Sequence, residues 1–200
     1  MLKKLKVPLL LGFLVLVALG AAAFRQSRGN DPPAILEIRK EFSGCQALRG
    51  QKSTRRVALR QVAAGPNDKG RWQTAEPNSD ETQYANIDIF LVQGKIRVAD
   101  LTEDTPSGDW QQVTGYCFRT DGSLAFSLST LSTFHGNVKV ESRLYFDETG
   151  KSVRLLRSIF DLKTNKPLAK NARSFMDRNA PVYMTAEKLV EEVGRSNIFK

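Results

Sequence analysis

Apolar residues recur along this chain with two periods, and each period predicts a kind of element. Ile35, Ile38, Phe42, Cys45 and Leu48 fall at three- and four-residue steps and draw one stripe along a helix. Glu37, Arg39, Lys40 and Glu41 lie off that stripe, toward water. Asp31 supplies an N-cap, Pro32-Pro33 places proline in the first turn, and Gly50 is a stop, so the spacing predicts a helix over 34–50. A second stripe, Ala186, Leu189, Val190 and Val193, follows Thr185 as N-cap and precedes Gly194. It predicts a short helix over 185–194.

Between them the period shortens to two. Val138, Val140, Leu144 and Phe146 alternate with Lys139, Glu141, Arg143, Tyr145 and Asp147, the pattern of a half-buried strand. Leu124, Phe126 and Leu128 alternate likewise with Ala125, Ser127 and Ser129. The pattern Phe, three residues, Gly occurs three times, at Phe90–Gly94, Phe118–Gly122 and Phe146–Gly150. Each glycine suits a tight turn between two strands. Three hairpins predict an antiparallel β-meander of about six strands over 84–162, and a further strand near 55–63 joins one edge. Residues 66–83 are too polar to promise a core element and read as a long loop. The class is α+β, with the N-terminal amphipathic helix packed on one face of the sheet and the C-terminal helix nearby.

Ile38-Arg39-Lys40-Glu41-Phe42 on the first helix, followed by hairpins of the type Tyr145-Phe146-Asp147-Glu148-Thr149-Gly150-Lys151, resembles a group of uncharacterised secreted bacterial proteins. The resemblance spans about Ile35 to Asp161. It implies the architecture and carries over no activity.

The first 23 residues stand apart. Lys3, Lys4 and Lys6 precede an almost unbroken apolar run from Val7 to Leu19, and Ala21-Ala22-Ala23 offers small residues for a signal peptidase. This is the form of a signal peptide, leaving residues 24–200 as a single domain. An uncleaved anchor is the alternative, because about 17 apolar residues lie at the lower limit for spanning a bilayer. Both readings place the body of the protein outside the cytoplasmic membrane, periplasmic or secreted. Membrane contact is then expected only through this segment, if it is retained.

Charge and cysteine content narrow the chemistry. The chain of 200 residues has 30 Lys+Arg against 21 Asp+Glu, a single histidine and two cysteines. That excludes a disulfide-dense scaffold, a four-cysteine zinc site and a multi-histidine centre. Neither a metal nor a cofactor is expected. Arg49, Lys52, Arg55, Arg56 and Arg60 form a basic run with no acid between Glu41 and Asp68. It is the one candidate ligand-binding edge, for anionic head groups or polysaccharide. Its lack of aromatics and the export signal argue against nucleic acid. A solvated edge whose arginines deter strand pairing is the plainer reading. Asp100, Glu103, Asp104 and Asp109 match no calcium-loop spacing and read as a solvated loop. His135 has no adjacent nucleophile or orienting partner in sequence and reads as a turn residue, so no catalytic residue is assigned.

Cys45 and Cys117 are an even pair in an oxidising compartment and form a candidate disulfide. Strand alternation opposes it. Cys117 points away from the face of Phe118, the face that Phe146, Val140 and Leu144 mark as apolar. The bridge requires a bulge, an edge position, or a helix on the other face, which Ile87, Ile89 and Leu91 also favour. Two buried thiols are the alternative.

The functional reading is an exported, non-enzymatic binding or interaction module with an unidentified envelope partner or ligand. The alternative is a carrier that holds an apolar ligand or lipid in a cavity between sheet and helix. Cleavage after Ala23 predicts that the exported protein has the intact mass of residues 24–200, within a few residues. A full-length, membrane-bound species as the only product would establish the anchor instead.

Overall fold

The computed structural model describes residues 31–62, 70–74, 83–105, 107–171, 173, 175 and 177–194. The apolar N-terminal segment and its cleavage site lie outside these residues. Among the described residues no helix is long and apolar enough to cross a membrane. The elements are helix α1 (Pro33–Leu48), strands β1 (Arg55–Val62), β2 (Arg71–Thr74), β3 (Gln83–Val92), β4 (Lys95–Asp104), β5 (Trp110–Phe118), β6 (Leu124–Thr133), β7 (Val138–Phe146) and β8 (Ser152–Asp161), and helix α2 (Ala186–Val193). All eight strands join one sheet in the order β2-β1-β3-β4-β5-β6-β7-β8, each pair antiparallel.

The six strands of the meander are present as β3 to β8, and two more extend the sheet. β1 is interior, not the edge strand expected, because β2 pairs outside it from Leu59↔Thr74 to Val62↔Arg71. Four residues with Trp72 as their one large apolar side chain carry no readable period. They become a strand because β1 offers a free row of backbone donors and acceptors.

Both faces of the sheet are covered, which the alternating pattern did not foretell. One face carries α1. Its stripe of Ile35, Ile38, Phe42, Cys45 and Leu48 packs on Phe90, Val98, Cys117, Phe126 and Tyr145. Those five residues form a single cross-strand row through the registers Phe90↔Val98, Val98↔Cys117, Cys117↔Phe126 and Phe126↔Tyr145. The opposite face carries α2, whose Ala186, Leu189 and Val193 pack on Leu59, Ile87, Ile89, Leu101 and Phe118. Thr185 caps α2 by accepting from the Lys188 N–H, and Gly194 ends it at φ 62°.

The start of α1 differs from expectation. Pro32 is the N-cap residue and no side chain caps the helix. Proline has no side-chain acceptor to serve as a cap, and the Ile35 and Leu36 N–H groups donate to Pro32 O. The Asp31 carboxylate, 3% exposed, instead pairs with Arg39 and with Arg154 of β8 at 2.7 Å. The Arg154 hydrogen bond holds its pKa below the usual carboxylate range. The helix stops at Leu48, short of Gly50.

The three hairpins are not equivalent. Each return strand carries one extra residue where the register shifts: Arg97 in β4, Ala125 in β6 and Val153 in β8. The outgoing strands differ. Leu91 and Ile96 flank four turn residues, whereas Phe118 and Leu124, like Phe146 and Ser152, flank five. The first hairpin uses a tight turn with both Gln93 and Gly94 at positive φ, and the other two place only Gly122 and Gly150 there. One residue fewer inverts the pleat. Phe90 therefore faces α1, while Phe118 and Phe146 face α2.

That inversion settles the cysteine question. Cys45 and Cys117 are disulfide-bonded, with Cα atoms 5.9 Å apart, and both are buried. Helix α1 lies on the face that Cys117 occupies. The apolar residues that draw it there are Phe90, Val98, Phe126 and Tyr145; Ile87, Ile89 and Leu91 point to α2. The bridge closes a separation of 72 residues and contributes about 4 kcal/mol by chain entropy. Reduction, or the double variant Cys45→Ala/Cys117→Ala, should lower Tm by roughly 10 °C in a scanning experiment. An unchanged Tm would show that α1 docks independently of the bridge. Replacing Gly150 (φ 80°) by valine should cost about 1–2 kcal/mol in denaturant unfolding.

Candidate functional site: a cleft under the C-terminal segment

On the α2 face, one cross-strand row changes character midway. Through the registers it runs Leu59–Ile87–Leu101–Thr114–Ser129–Ser142–Arg157. The first three residues are aliphatic and buried under α2. The last four are hydroxyls and a cation. In the flanking rows, Ser127 and Gln112 add polar groups where a core would take aliphatic ones. Gln112, Thr114, Ser127 and Ser129 are all buried. This corrects the reading of β6 as half-buried, since its serines do not face open water. A buried hydroxyl stabilises less than a packed methyl group unless it is hydrogen-bonded, and here Gln112 and Thr114 both bond to Ser129.

The roof over these residues is the irregular segment that follows β8. Asp161 turns the chain: its Oδ1 accepts from the Lys163 and Thr164 N–H groups and the Thr164 hydroxyl, and its Oδ2 pairs with Arg173 at 2.7 Å. These bonds, those of Thr164 foremost, lower the Asp161 pKa to about 2. Arg178 then anchors the segment at three points. Its Nε donates to Gln112 Oε1 at 3.0 Å, its Nη2 donates to Glu103 Oε1 at 2.6 Å, and its guanidinium lies 4.4 Å from the Trp110 ring centroid. Farther on, the Tyr116 hydroxyl donates to Pro181 O at 2.8 Å and Leu124 N donates to Met184 O at 2.9 Å. Burial drives the Tyr116 pKa well up and raises Tyr183 to about 12, so both stay neutral donors at physiological pH.

Between the Arg178 and Pro181 anchors the segment stands off the sheet and leaves a cleft of about 250 Å³. Ser127, Ser129 and Ser142 form part of its lining, together with Leu144, Leu155 and Val182. Gln112 Nε2 and the Thr114 hydroxyl both reach Ser129 Oγ, at 3.0 and 3.3 Å. Among the described residues the hydroxyls of Ser127 and Ser142 have no hydrogen-bond partner, and Ser127 is 3% exposed. Leu155 and Val182 are 59% and 40% exposed, two large apolar side chains left open at the same cleft.

The residues singled out from sequence lie elsewhere, and the structure does not gather them into one basic edge. Asp88 and Asp100 are register partners on β3 and β4, two carboxylates directly opposed. Arg56 engages Asp88 through two bonds of 2.9 and 2.8 Å, and Arg49 engages Asp100 through two of 2.7 and 2.6 Å. Arg55 projects from the opposite face to Arg56, Arg60 is buried, and Lys52 is exposed in the turn after α1. The four acids near β4 are likewise dispersed. Asp100 and Glu103 pair with Arg49 and Arg178, burial raises the pKa of Asp104, and Asp109 is held low, chiefly by the Ser107 hydroxyl. Among the described residues no group of acids, histidine or cysteine is arranged to hold a metal. His135 is 88% exposed and sits 2.8 Å from Asp109. The one sequence signal for the cleft is serine at every second position of β6, Ser127 and Ser129, continued by Ser142 across the register.

Gly115 makes room for the Arg49–Asp100 fork: a Cβ there would lie 3.1 Å from Asp100 Oδ1 and 3.4 Å from Arg49 Nη2. Gly115→Val should therefore destabilise by roughly 1–3 kcal/mol in denaturant unfolding. Asp161 gives a pH prediction. Its depressed pKa means that the stabilisation of the 162–166 turn is complete above pH 4 and is lost as pH falls toward 2. The protection factor of the Thr164 amide, the unprotected exchange rate over the observed rate at the same pH, should fall over that window in the wild type and lose that pH dependence in Asp161→Asn.

The chain matches no protein-family model, no curated protein and no solved structure.

Proposed function

We propose that this chain is an exported, extracytoplasmic binding module that holds a small ligand in the cleft between β5–β8 and the segment 178–182. The observation that carries the reading is a floor of hydroxyls facing a space, Ser127 and Ser129 buried and Ser142 half-buried, with Ser127 and Ser142 lacking partners among the described residues. A core with no ligand to meet gains nothing from such groups. At about 250 Å³ the cleft lies just under the roughly 300–1,000 Å³ common for small-molecule sites, so its occupant is small. Binding without conversion is favoured because the lining offers hydroxyls but no histidine or carboxylate to activate them. Export is supported by the cystine, since buried structural disulfides belong to oxidising compartments.

The carrier reading now concerns the same cleft. Aromatic rings occupy the contact between α1 and the sheet, with Phe42 tilted against Phe126 at 4.4 Å and Phe126 edge-on to Tyr145 at 4.8 Å, ring centre to ring centre. For a carrier, the close ring contacts under α1 favour the cleft beneath the C-terminal segment over a cavity between sheet and helix, and its polar floor favours an amphiphile over a hydrocarbon.

Native mass spectrometry of the protein purified from its own envelope fraction tests this. The expected result is a stoichiometric small-molecule adduct that disappears in the cleft-filling variants Ser127→Leu and Ser142→Leu while both remain folded. A wild type without adduct, or variants that keep it, would remove the cleft as the binding site.

A further inference from the structure

We propose that the ligand carries one carboxylate on a short apolar chain, and that Arg157, with the Ser142 hydroxyl opposite it, receives that carboxylate. The inference rests on the cleft being the binding site. Two cations line the cleft, and they are differently committed. Arg178 is spent on Gln112, Glu103 and Trp110, so it holds the roof in place. Arg157 makes one contact, from Nη2 to Asp177 Oδ1 at 2.5 Å, and its Nε and Nη1 have no acceptor among the described residues. Guanidinium is a planar fork suited to two parallel bonds with a carboxylate. Asp177 is 53% exposed and lies on the roof segment, so it is a counter-ion that an incoming carboxylate displaces into water.

The register places Ser142 directly across from Arg157, adding a neutral donor with no other partner among the described residues. A single cation with open donors matches a monoanion. A dianionic phosphate calls for a second uncommitted charge, which Arg178 does not offer.

The rest of the lining fixes the other end of the ligand. Leu131 and Val140 flank the Ser142–Arg157 row on one side and Leu144 and Leu155 on the other, and Val182 completes an apolar lining around the arginine. Leu155 and Val182 are unusually exposed for leucine and valine, and a hydrocarbon chain would cover them. With about 30 Å³ for each water-sized group, the cleft encloses about eight non-hydrogen atoms, so an eight-carbon acid fills it and leaves about two of its ten non-hydrogen atoms at the open mouth.

The test is calorimetric titration of the disulfide-intact protein at pH 7 with three probes: octanoate, octan-1-ol and inorganic phosphate. Octanoate should bind saturably at one site, octanol at least tenfold more weakly, and phosphate not at all. Octanoate affinity should fall as pH drops through about 4–5, where the carboxyl group takes its proton. Arg157→Gln should weaken octanoate at least tenfold and leave octanol unchanged, and Ser127→Leu should abolish both. Equal binding of octanol and octanoate, or octanoate binding that survives Arg157→Gln, would overturn the carboxylate assignment and leave the cleft intact. So would failure of every probe while the purified protein still carries an adduct sensitive to Ser127→Leu. Failure of every probe with no such adduct would take away the cleft reading and this inference with it.

Discussion

In a sheet with a helix on each face, the face that a strand residue takes is set by parity, and a shift of one position exchanges the two environments. The extra residues Arg97, Ala125 and Val153 and the short first turn set that parity here. They align Phe90, Val98, Cys117, Phe126 and Tyr145 into one row under α1, with Cys117 at its centre and Cys45 above it. The same bookkeeping aligns Thr114, Ser129, Ser142 and Arg157 on the far side. Were the first turn a residue longer, Phe90 would join the α2 face and the row beneath the helix would lose its first ring. Bulged Arg97 adds a tie of its own, reaching Phe118 O at 2.9 Å and Glu41 of α1 at 3.3 Å.

Charge follows the same geometry. Pairing β3 with β4 sets Asp88 opposite Asp100, an arrangement that repels unless each carboxylate is neutralised. Arg56 and Arg49 neutralise them through paired bonds, the Arg49 pair partly sheltered from solvent and the Arg56 side chain exposed. The basic run is therefore in part internal wiring. Asp31, between Arg39 and Arg154, does similar work at the other border of the sheet, fastening the start of α1 to the last strand.

Much of this architecture is legible in the sequence, and the reasons for the gaps are specific. Both helices announce themselves because their stripes are amphipathic and their ends carry proline, threonine or glycine. The meander shows because its turns repeat. Strand β2 does not, since its pairing depends on the edge of β1 and not on its own four residues. Which face α1 covers is not legible because the repeat Phe-x-x-x-Gly conceals turns of different length, and Gln93 at φ 51° gives no sign of itself in sequence. Alternation of Ser127 and Ser129 with apolar neighbours looks the same whether the serines meet solvent or a roof. The roof is built from residues 178–182, which have no period at all, so the cleft is invisible until the chain folds back on itself. Arginines are conspicuous in sequence, but their partners Asp88 and Asp100 are brought to them only by strand pairing.

The hydroxyl row has a consequence for anyone who improves this protein by selection. Thr114, Ser127, Ser129 and Ser142 occupy positions where valine or leucine would pack against neighbours already apolar on two sides. A screen that rewards heat resistance alone will find those replacements early, because each exchanges a desolvated oxygen for a filled gap. The survivors would be sturdier, with the cleft closed from its floor upward.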